Sequence, residues 1–232
     1  IDITQKQKLE KIILKFKPDI LINTVALIGI NYCEQNPEKT LNVNALSVFE
    51  ITNICKKLNI FFVQISTHAV FDGELKRLYK ETDKPFPINI YGYAKLLGEY
   101  FVKNNLDKYL ILRMPTMYGP RKNKSQGFVD KMIINMKKNK DLSIASDRMD
   151  SPSYAYTISL KIKKLLLKKK KGLFHISDSG RISYHDFIVE LAKQIGFKGK
   201  IKKVKSASFP ALAPNPLRVP MSRAKGGGTG FD

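Results

Sequence analysis

Apolar positions recur along this chain in two rhythms. Over residues 5–16, "QKQKLEKIILKF", Leu9, Ile12, Ile13 and Phe16 fall on one stripe of helical period, which predicts an amphipathic helix. Directly after it, "PDILINTVA" (18–26) is a short unbroken apolar run behind a proline, the pattern of a buried strand. Helical period returns over 43–58, with Val48, Ile51, Cys55 and Leu58 on a shared face. "IFFVQIST" (60–67) reads as a second buried strand, "GYAKLLGEYFVKNN" (92–105) as a helix and "YLILRM" (109–114) as a third strand. A helix is expected near 126–138 and another over "TISLKIKKLLLKK", followed by a short strand, "LFHIS" (173–177). Ser183 and Asp186 form a capping-box-like start to a last helix, "SYHDFIVELAKQIG".

Helix and strand alternate, and the strands are continuous apolar runs rather than alternating ones. That pattern predicts an α/β fold with a parallel sheet covered by helices on both faces. Ligands of such sheets sit at the carboxyl ends of the strands. The rule selects "NTVA" (23–26), "ISTHAVFDG" (65–73) and "LRMPTMYGP" (112–120), each a strand running out into a polar loop. Beyond about residue 178 the chain reads as loop-rich, with four prolines in "FPALAPNPLRVP" (209–220). The closing "KGGGTGFD" is no phosphate loop, because no helix and no Gly-Lys-Ser/Thr ending follow it.

Composition changes this picture little. The 232 residues are 43% hydrophobic and 26% charged, as in an ordinary globular protein. No apolar run approaches the roughly 18–20 residues that cross a bilayer, and residues 1–17 lack the apolar core of a signal peptide. The chain begins at Ile1 rather than Met, so a processed, trimmed or incomplete N-terminus is expected. The formal charge of +21 comes from 41 basic and 20 acidic residues, and only seven of the basic ones are Arg. Such a charge suits a nucleic-acid partner, but no aromatic–basic motif, zinc finger or basic zipper accompanies it. Lysine-rich, solvated helix faces are the plainer reading. Cys33 and Cys55 fit neither a disulfide framework nor a metal site, and two reduced thiols point to a cytoplasmic protein.

The candidate chemistry lies in "NIYGYAKLLGEY" (89–100), where Tyr91 precedes Lys95 by four residues. That spacing alone also describes a helix-surface pair. A phenol has an ordinary pKa of about 10, which a nearby ammonium lowers. The second strand ends in Ser66, Thr67 and His68, and a hydroxyl there could hold the carbonyl oxygen that a tyrosine protonates. The three groups suit reduction of a carbonyl by a nicotinamide hydride. Thr67 could equally satisfy backbone groups at a strand end, and His68 could be a passive loop residue. His175, inside an apolar strand, reads as structural, and His185 as solvated. Asp72–Gly73 reads as a turn, and "NVNA" (42–45) as a loop-ordering segment. Arg113 could buttress the site or touch substrate. Arg121 and the basic stretch 122–124 read as a solvated loop.

An ordered series of segments carries a family resemblance. It comprises "DIT…FKPDILINTVA", "EQNPEKTLNVNA", "ISTHAVFDG", "YKETDKPFPINIYGYAKLLGE", "LRMPTMYGP", "SPSYAYTISLKI" and "GLFHISDSGRISYHDF". In order and spacing the chain resembles the extended short-chain dehydrogenase/reductases, and among them the dTDP-4-dehydrorhamnose reductase family. The resemblance covers residues 1 to about 190 with hardly a gap, and loosely to 220. It implies a Rossmann-type doubly wound parallel sheet over 1–117 and 151–177. A small C-terminal substrate-binding region and tail would take 118–150 and 178–232. It implies NAD(P)H-dependent reduction of the C4 keto group of a nucleotide-linked 4-keto-6-deoxy sugar. Tyr91 would be the proton donor, Lys95 would hold the nicotinamide ribose and tune Tyr91, and Thr67 would bind the reacting oxygen. Ala26, Leu27 and Ile28 match the segment along the cofactor, NADPH or NADH, and Asp2 and Ile3 the segment on its adenine side. Thr67, His68 and Thr116 match positions that approach the sugar nucleotide. The partner implied is that nucleotide sugar, with a homodimer as candidate assembly and no specific nucleic acid or membrane.

The chain departs from the family at definite places. The glycine-rich turn that binds pyrophosphate is missing, and the family places it before the equivalent of Ile1. A first βαβ unit of roughly 30–40 residues is therefore expected to be lacking. The family usually reads Ser-Thr-Asp-Tyr-Val-Phe where this chain has His68 and Ala69. Its substrate-facing Trp falls at Thr116. Ile28 and Asp150 stand where Thr and Gly are more frequent. Two other readings share the fold: a non-catalytic subunit resembling the methionine adenosyltransferase regulatory subunit, and a sugar-nucleotide epimerase or dehydratase. Dehydratases usually carry an Asp-Glu pair after the threonine, which His68 and Ala69 do not supply.

Overall fold

A computed structural model describes residues 1–120 and 127–222. The basic stretch at 121–124 and the glycine-rich tail lie outside the described residues. The chain opens with α1 (Lys6–Phe16), β1 (Ile20–Asn23), α2 (Ile30–Gln35) and α3 (Pro37–Leu41). A π-helical turn (Asn42–Leu46) leads into α4 (Ser47–Lys57), then β2 (Phe61–Thr67) and a 3₁₀ turn (His68–Val70). Next come α5 (Ile90–Asn105), β3 (Tyr109–Met114), β4 (Met117–Tyr118), α6 (Phe128–Lys137), β5 (Leu142–Ala145), β6 (Met149–Asp150) and β7 (Ser153–Tyr154). The chain continues through α7 (Ala155–Leu167), β8 (Gly172–His175), β9 (Ile182–Ser183), α8 (Tyr184–Ile195) and β10 (Ile201–Val204).

The main sheet is parallel with strand order β1-β2-β3-β8. Cross-strand partners share a face, so the register sorts the core into two layers. Phe62 and Ile111 face α1, α4 and α5 and pack with Leu9, Ile13, Val48, Ile51, Cys55 and Val102. Val63, Leu110, Leu112 and Phe174 face α7 and pack with Ile158 and Leu165. This is the doubly wound α/β arrangement that the alternating pattern predicts.

Within the stretch read as a strand over 18–26, the strand itself is Ile20–Asn23; it pairs in parallel with β2, and Ile20 and Ile22 stand 41% and 45% exposed. Ile22 pairs with Val63, on the face that α7 covers over the inner strands but leaves open at β1. On α1 only Leu9 and Ile13 are buried, while Ile12 and Phe16 are exposed, because the helix docks on a single i, i+4 row. The segment beyond 178 is also less loop-like than its composition suggests. There β10 pairs in parallel with β5, and α6 and α8 bury Met136, Leu142, Ile144, Ile188 and Ala192 in a separate small core. The predicted Ser183 cap is present: its hydroxyl accepts the Asp186 N–H at 3.0 Å. His185 is not solvated, because its Nδ1 meets Asp186 Oδ1 at 2.9 Å and its side chain is only 14% exposed.

Two glycines let α5 approach its neighbours. A Cβ on Gly98 would lie 2.8 Å from the Asn44 carbonyl oxygen, and one on Gly92 would lie 2.3 Å from that of Ala69. Such contacts are far inside van der Waals distance and the obstacle is backbone, so neither site can take a side chain without moving the helix. Gly98→Ala is expected to lower stability by about 1–3 kcal/mol, the usual cost of overpacking. Urea unfolding followed by far-ultraviolet circular dichroism measures this, with an unchanged m-value as the sign that only packing was altered.

Candidate active site

The carboxyl ends of β1, β2 and β3 bring the candidate residues together. Asn89 caps α5, its Oδ1 accepting the Gly92 N–H at 2.9 Å, and Glu34 Oε2 accepts the Ile90 N–H at 3.1 Å. These contacts set the first turn of α5 over the end of β2. Tyr91 there meets the Thr67 side chain. Thr67 lies at the last position of β2, and its hydroxyl oxygen accepts the Ala69 N–H at 3.1 Å. Burial pushes the Tyr91 phenol up, and the bond to Thr67 pulls it back in part. A phenol held in its protonated form is the form a reduction consumes.

Lys95 is 4% exposed and donates to the Ile65 carbonyl oxygen at 2.6 Å. Burial lowers its pKa to about 8, against an upward pull from Glu99. The phenol and the ammonium thus stand one helical turn apart, with the ammonium on the main chain of β2. The polar face of the sheet beneath α5 continues the pattern. Asn23 Nδ2 donates to Gln64 Oε1 at 2.9 Å, and Gln64 Nε2 donates to the Ile65 carbonyl at 2.8 Å. Glu99 accepts Ser66 Oγ at 2.6 Å and both Nε and Nη2 of Arg113 at 2.8 and 2.7 Å. Arg113 is 1% exposed and lies 5.0 Å from the Phe71 ring centroid. It therefore buttresses the site. His175 is equally buried, its Nδ1 at 3.2 Å from the Tyr79 carbonyl, and burial lowers its pKa to about 4.

The segment Ala26, Leu27 and Ile28 follows β1. Asn44 clamps it, accepting the Leu27 N–H at 2.9 Å and donating to the Leu27 carbonyl at 2.9 Å. "NVNA" thus orders the loop after β1 from within a π-helical turn. His68 and Thr116 join through a residue of the small region, Asp150. It accepts the Thr116 N–H at 3.1 Å and stands 4.0 Å from His68 Nδ1. Asp2 and Ile3 make other contacts: Asp2 Oδ1 accepts the Thr4 N–H at 2.9 Å, and Ile3 packs in the core with Leu9.

Beside this group opens a cleft of 680 Å³, lined on one side by Ile30, Asn31 and Tyr32 and on the other by Phe128, Arg148, Tyr184 and residues 206–215. Tyr184 links the cleft to the site, its hydroxyl 2.8 Å from Thr116 Oγ1. The sequence left no sign of Glu99, Arg148 and Tyr184, which acquire their partners only from distant segments.

A parallel doubly wound sheet with a tyrosine, a threonine and a buried lysine at its strand ends defines a Rossmann-type protein of the short-chain dehydrogenase/reductase class. Residues 1–230 match the RmlD substrate binding domain family, and the chain belongs to that family. It is 30% identical over 198 residues to the probable low-salt glycan biosynthesis reductase Agl14 of Haloferax volcanii, covering 84% of this chain and 66% of that one. It is 26% identical to the dTDP-4-dehydrorhamnose reductase of Escherichia coli over 94% of this chain and 75% of that one. The crystal structure of dTDP-4-dehydrorhamnose reductase from Bacillus anthracis in complex with NADP superposes with a TM-score of 0.94 at 28% identity, over 100% of this chain and 82% of that one. The chain therefore spans about two thirds to four fifths of the length of these relatives.

Lys95 carries a stability signature that can be measured. Its native pKa of about 8 lies below the ordinary value of 10.5. Between these values the unfolded chain binds more protons, so this residue makes stability rise with pH. The stability of Lys95→Met relative to the native chain should therefore fall between pH 8 and 10.5, by up to about 3 kcal/mol. Urea titrations of both proteins across that range test it, and a constant difference would contradict the burial of a charged Lys95.

Proposed function

We propose that this chain carries the catalytic group of a reductase acting on the C4 keto group of a nucleotide-linked 4-keto-6-deoxy sugar. The observation that carries the reading is the buried Lys95, which donates to the main chain of β2 one helical turn after Tyr91, on the helix that starts over the Thr67 end of that strand. A reduced nicotinamide, NADPH or NADH, supplies the hydride. The residues present fit it: a buried ammonium stands one helical turn along α5 from the phenol, on the Ile65 carbonyl, and Asn44 holds the Leu27 main chain where the cofactor would run. Ala26, Leu27 and Ile28 would lie along it, with Asp2 and Ile3 toward the adenine. Tyr91 gives its proton to the keto oxygen, which becomes the C4 hydroxyl. Thr67 holds that oxygen in place, and the Lys95 ammonium offsets the negative charge left on the phenolate. His68 and Thr116 contact the sugar, and the cleft between Tyr32 and Tyr184 takes the nucleotide. On this reading residues 118–150 and 178–232 form the substrate-holding part.

Two further points belong to the reading. Exposed Leu46 and Phe49 before and on α4, and exposed Tyr93, Leu97 and Tyr100 on α5, offer a surface for a second copy of the chain. Two free buried thiols support a cytoplasmic location. No helix among the described residues is long and apolar enough to cross a membrane.

Tyr91→Phe removes the proton and little else. With a dTDP-4-keto-6-deoxy sugar and NADPH, it should cut kcat by at least about 100-fold while nucleotide-sugar binding by calorimetry is preserved. Turnover near the native rate would sink the assignment of Tyr91. For the assembly, sedimentation velocity should show a dimer that Phe49→Glu converts to monomer; a native monomer at all concentrations would refute it.

A further inference from the structure

Three of the chain's seven arginines line one pocket. Arg77, Arg181 and Arg218, with Lys76 beside them, surround a cavity of 340 Å³, and no acidic residue lines it. Lysine is by far the commoner cation in this sequence, so a share of arginine this large sets the pocket apart. The planar guanidinium fork matches the oxygens of a phosphate or carboxylate in a way that the point charge of lysine does not.

The fold holds these cations together. Gly73, at φ 86°, lets the loop before Lys76 rest on the main chain of the last segment; a Cβ there would lie 2.9 Å from the Leu217 nitrogen and 3.1 Å from that of Arg218. The Met149 N–H donates to the Leu217 carbonyl at 2.7 Å, and the Val219 N–H donates to the Met149 carbonyl at 3.1 Å. Arg181 ties in the third segment by donating to the Lys76 carbonyl at 3.3 Å. Four like charges from distant parts of the chain are thereby kept at one place, an arrangement that repels itself until an anion enters. The Asp83 carboxylate is already spent. It accepts from Nη1 and Nη2 of Arg77 at 2.6 and 2.8 Å and from the Lys80 N–H at 2.8 Å. Among the described residues the side chains of Lys76 and Arg218 have no hydrogen bond or ion pair. Arg181 has used one of its five N–H donors.

The pocket is separate from the cleft. The two share no lining residue: Arg148 lines the cleft, and the next residue, Met149, lines the pocket. Leu75 and Met149 add apolar wall. Small-molecule sites begin at about 300 Å³ and combine apolar wall with a few placed polar groups. A phosphate group brings up to two charges and three acceptor oxygens, enough to engage several of these forks at once.

We propose that Lys76, Arg77, Arg181 and Arg218 form a second ligand site, which binds the phosphate groups of a small phosphorylated molecule. It is independent of the reductase reading and stands even if that reading fails. The probe is inorganic pyrophosphate. Calorimetry at about 0.15 M salt should show saturable binding with a Kd of about 1 mM or tighter. Arg181→Gln and Arg218→Gln should each weaken it about tenfold, the loss of one charged hydrogen bond. The double variant Lys168→Gln, Lys170→Gln, just beyond the end of α7, is the charge control and should bind as the native chain does. All four substituted side chains are exposed, so the fold is not at stake. Equal weakening in the control would mean diffuse attraction to a basic protein and overturn the site, as would a lack of saturable binding. Location is read from the Nε–Hε NMR signals of the chain labelled with ¹⁵N-arginine. Pyrophosphate should shift those of Arg181 and Arg218, assigned by their loss in the two variants. Shifts confined to Arg148 would place the anion in the cleft and overturn the proposal. A short oligonucleotide that displaced pyrophosphate and bound far more tightly would give the arginines to nucleic acid and overturn it as well.

Discussion

Glu99 lies wholly inside the protein on the helix that carries Tyr91 and Lys95, and its two oxygens hold Ser66 on β2 and Arg113 on β3. Three elements meet at this one carboxylate. Removing a partner from such a buried pair strands a charge and costs about 3–5 kcal/mol. The ion pair therefore works as a register pin for α5 more than as a source of net stability. The two close glycine contacts act in the same direction. Gly98 lets the helix rest on the main chain of the π-helical turn, and Gly92 lets its first turn rest on the Ala69 carbonyl. With both ends seated, Tyr91 has one place to go, beside Thr67.

From that seat a line of polar contacts runs outward. Thr67 adjoins His68, His68 faces Asp150, Asp150 holds Thr116, and Thr116 meets Tyr184 at the wall of the cleft. The last three of these join the strand ends of the main sheet to Asp150 and Tyr184, and further ties run from Asn89 to the Pro214 carbonyl and from Leu212 to Asn31. The cleft is lined from both sides of these ties, by Ile30, Asn31 and Tyr32 and by Arg148 and Tyr184.

The large positive charge serves a plainer purpose. Lysines occupy the last turns of α1, α3, α4, α5, α6, α7 and α8, where they complement the negative helix end. The charge is in this way distributed over many helix termini, in keeping with solvated helix faces rather than with a single anion-binding stripe.

The alternation of helical and unbroken apolar segments was sufficient to determine the parallel sheet, its helical cover, the strand end that holds Thr67 and the helix that carries Tyr91 and Lys95. These are local properties: hydrophobic period, capping residues and the four-residue step of a helix are all written in neighbouring positions. What lay beyond them required partners far away in the chain. β5 and β10 are too short to declare themselves and form only by pairing across more than fifty residues. Lys95 could be placed near Tyr91 by spacing, but its burial and its bond to Ile65 depend on the seating of α5. Above all, Asp150 reaches the Thr116 N–H only when β6 folds beside the segment after β3, because electrostatics and hydrogen bonding act through space and not along the chain.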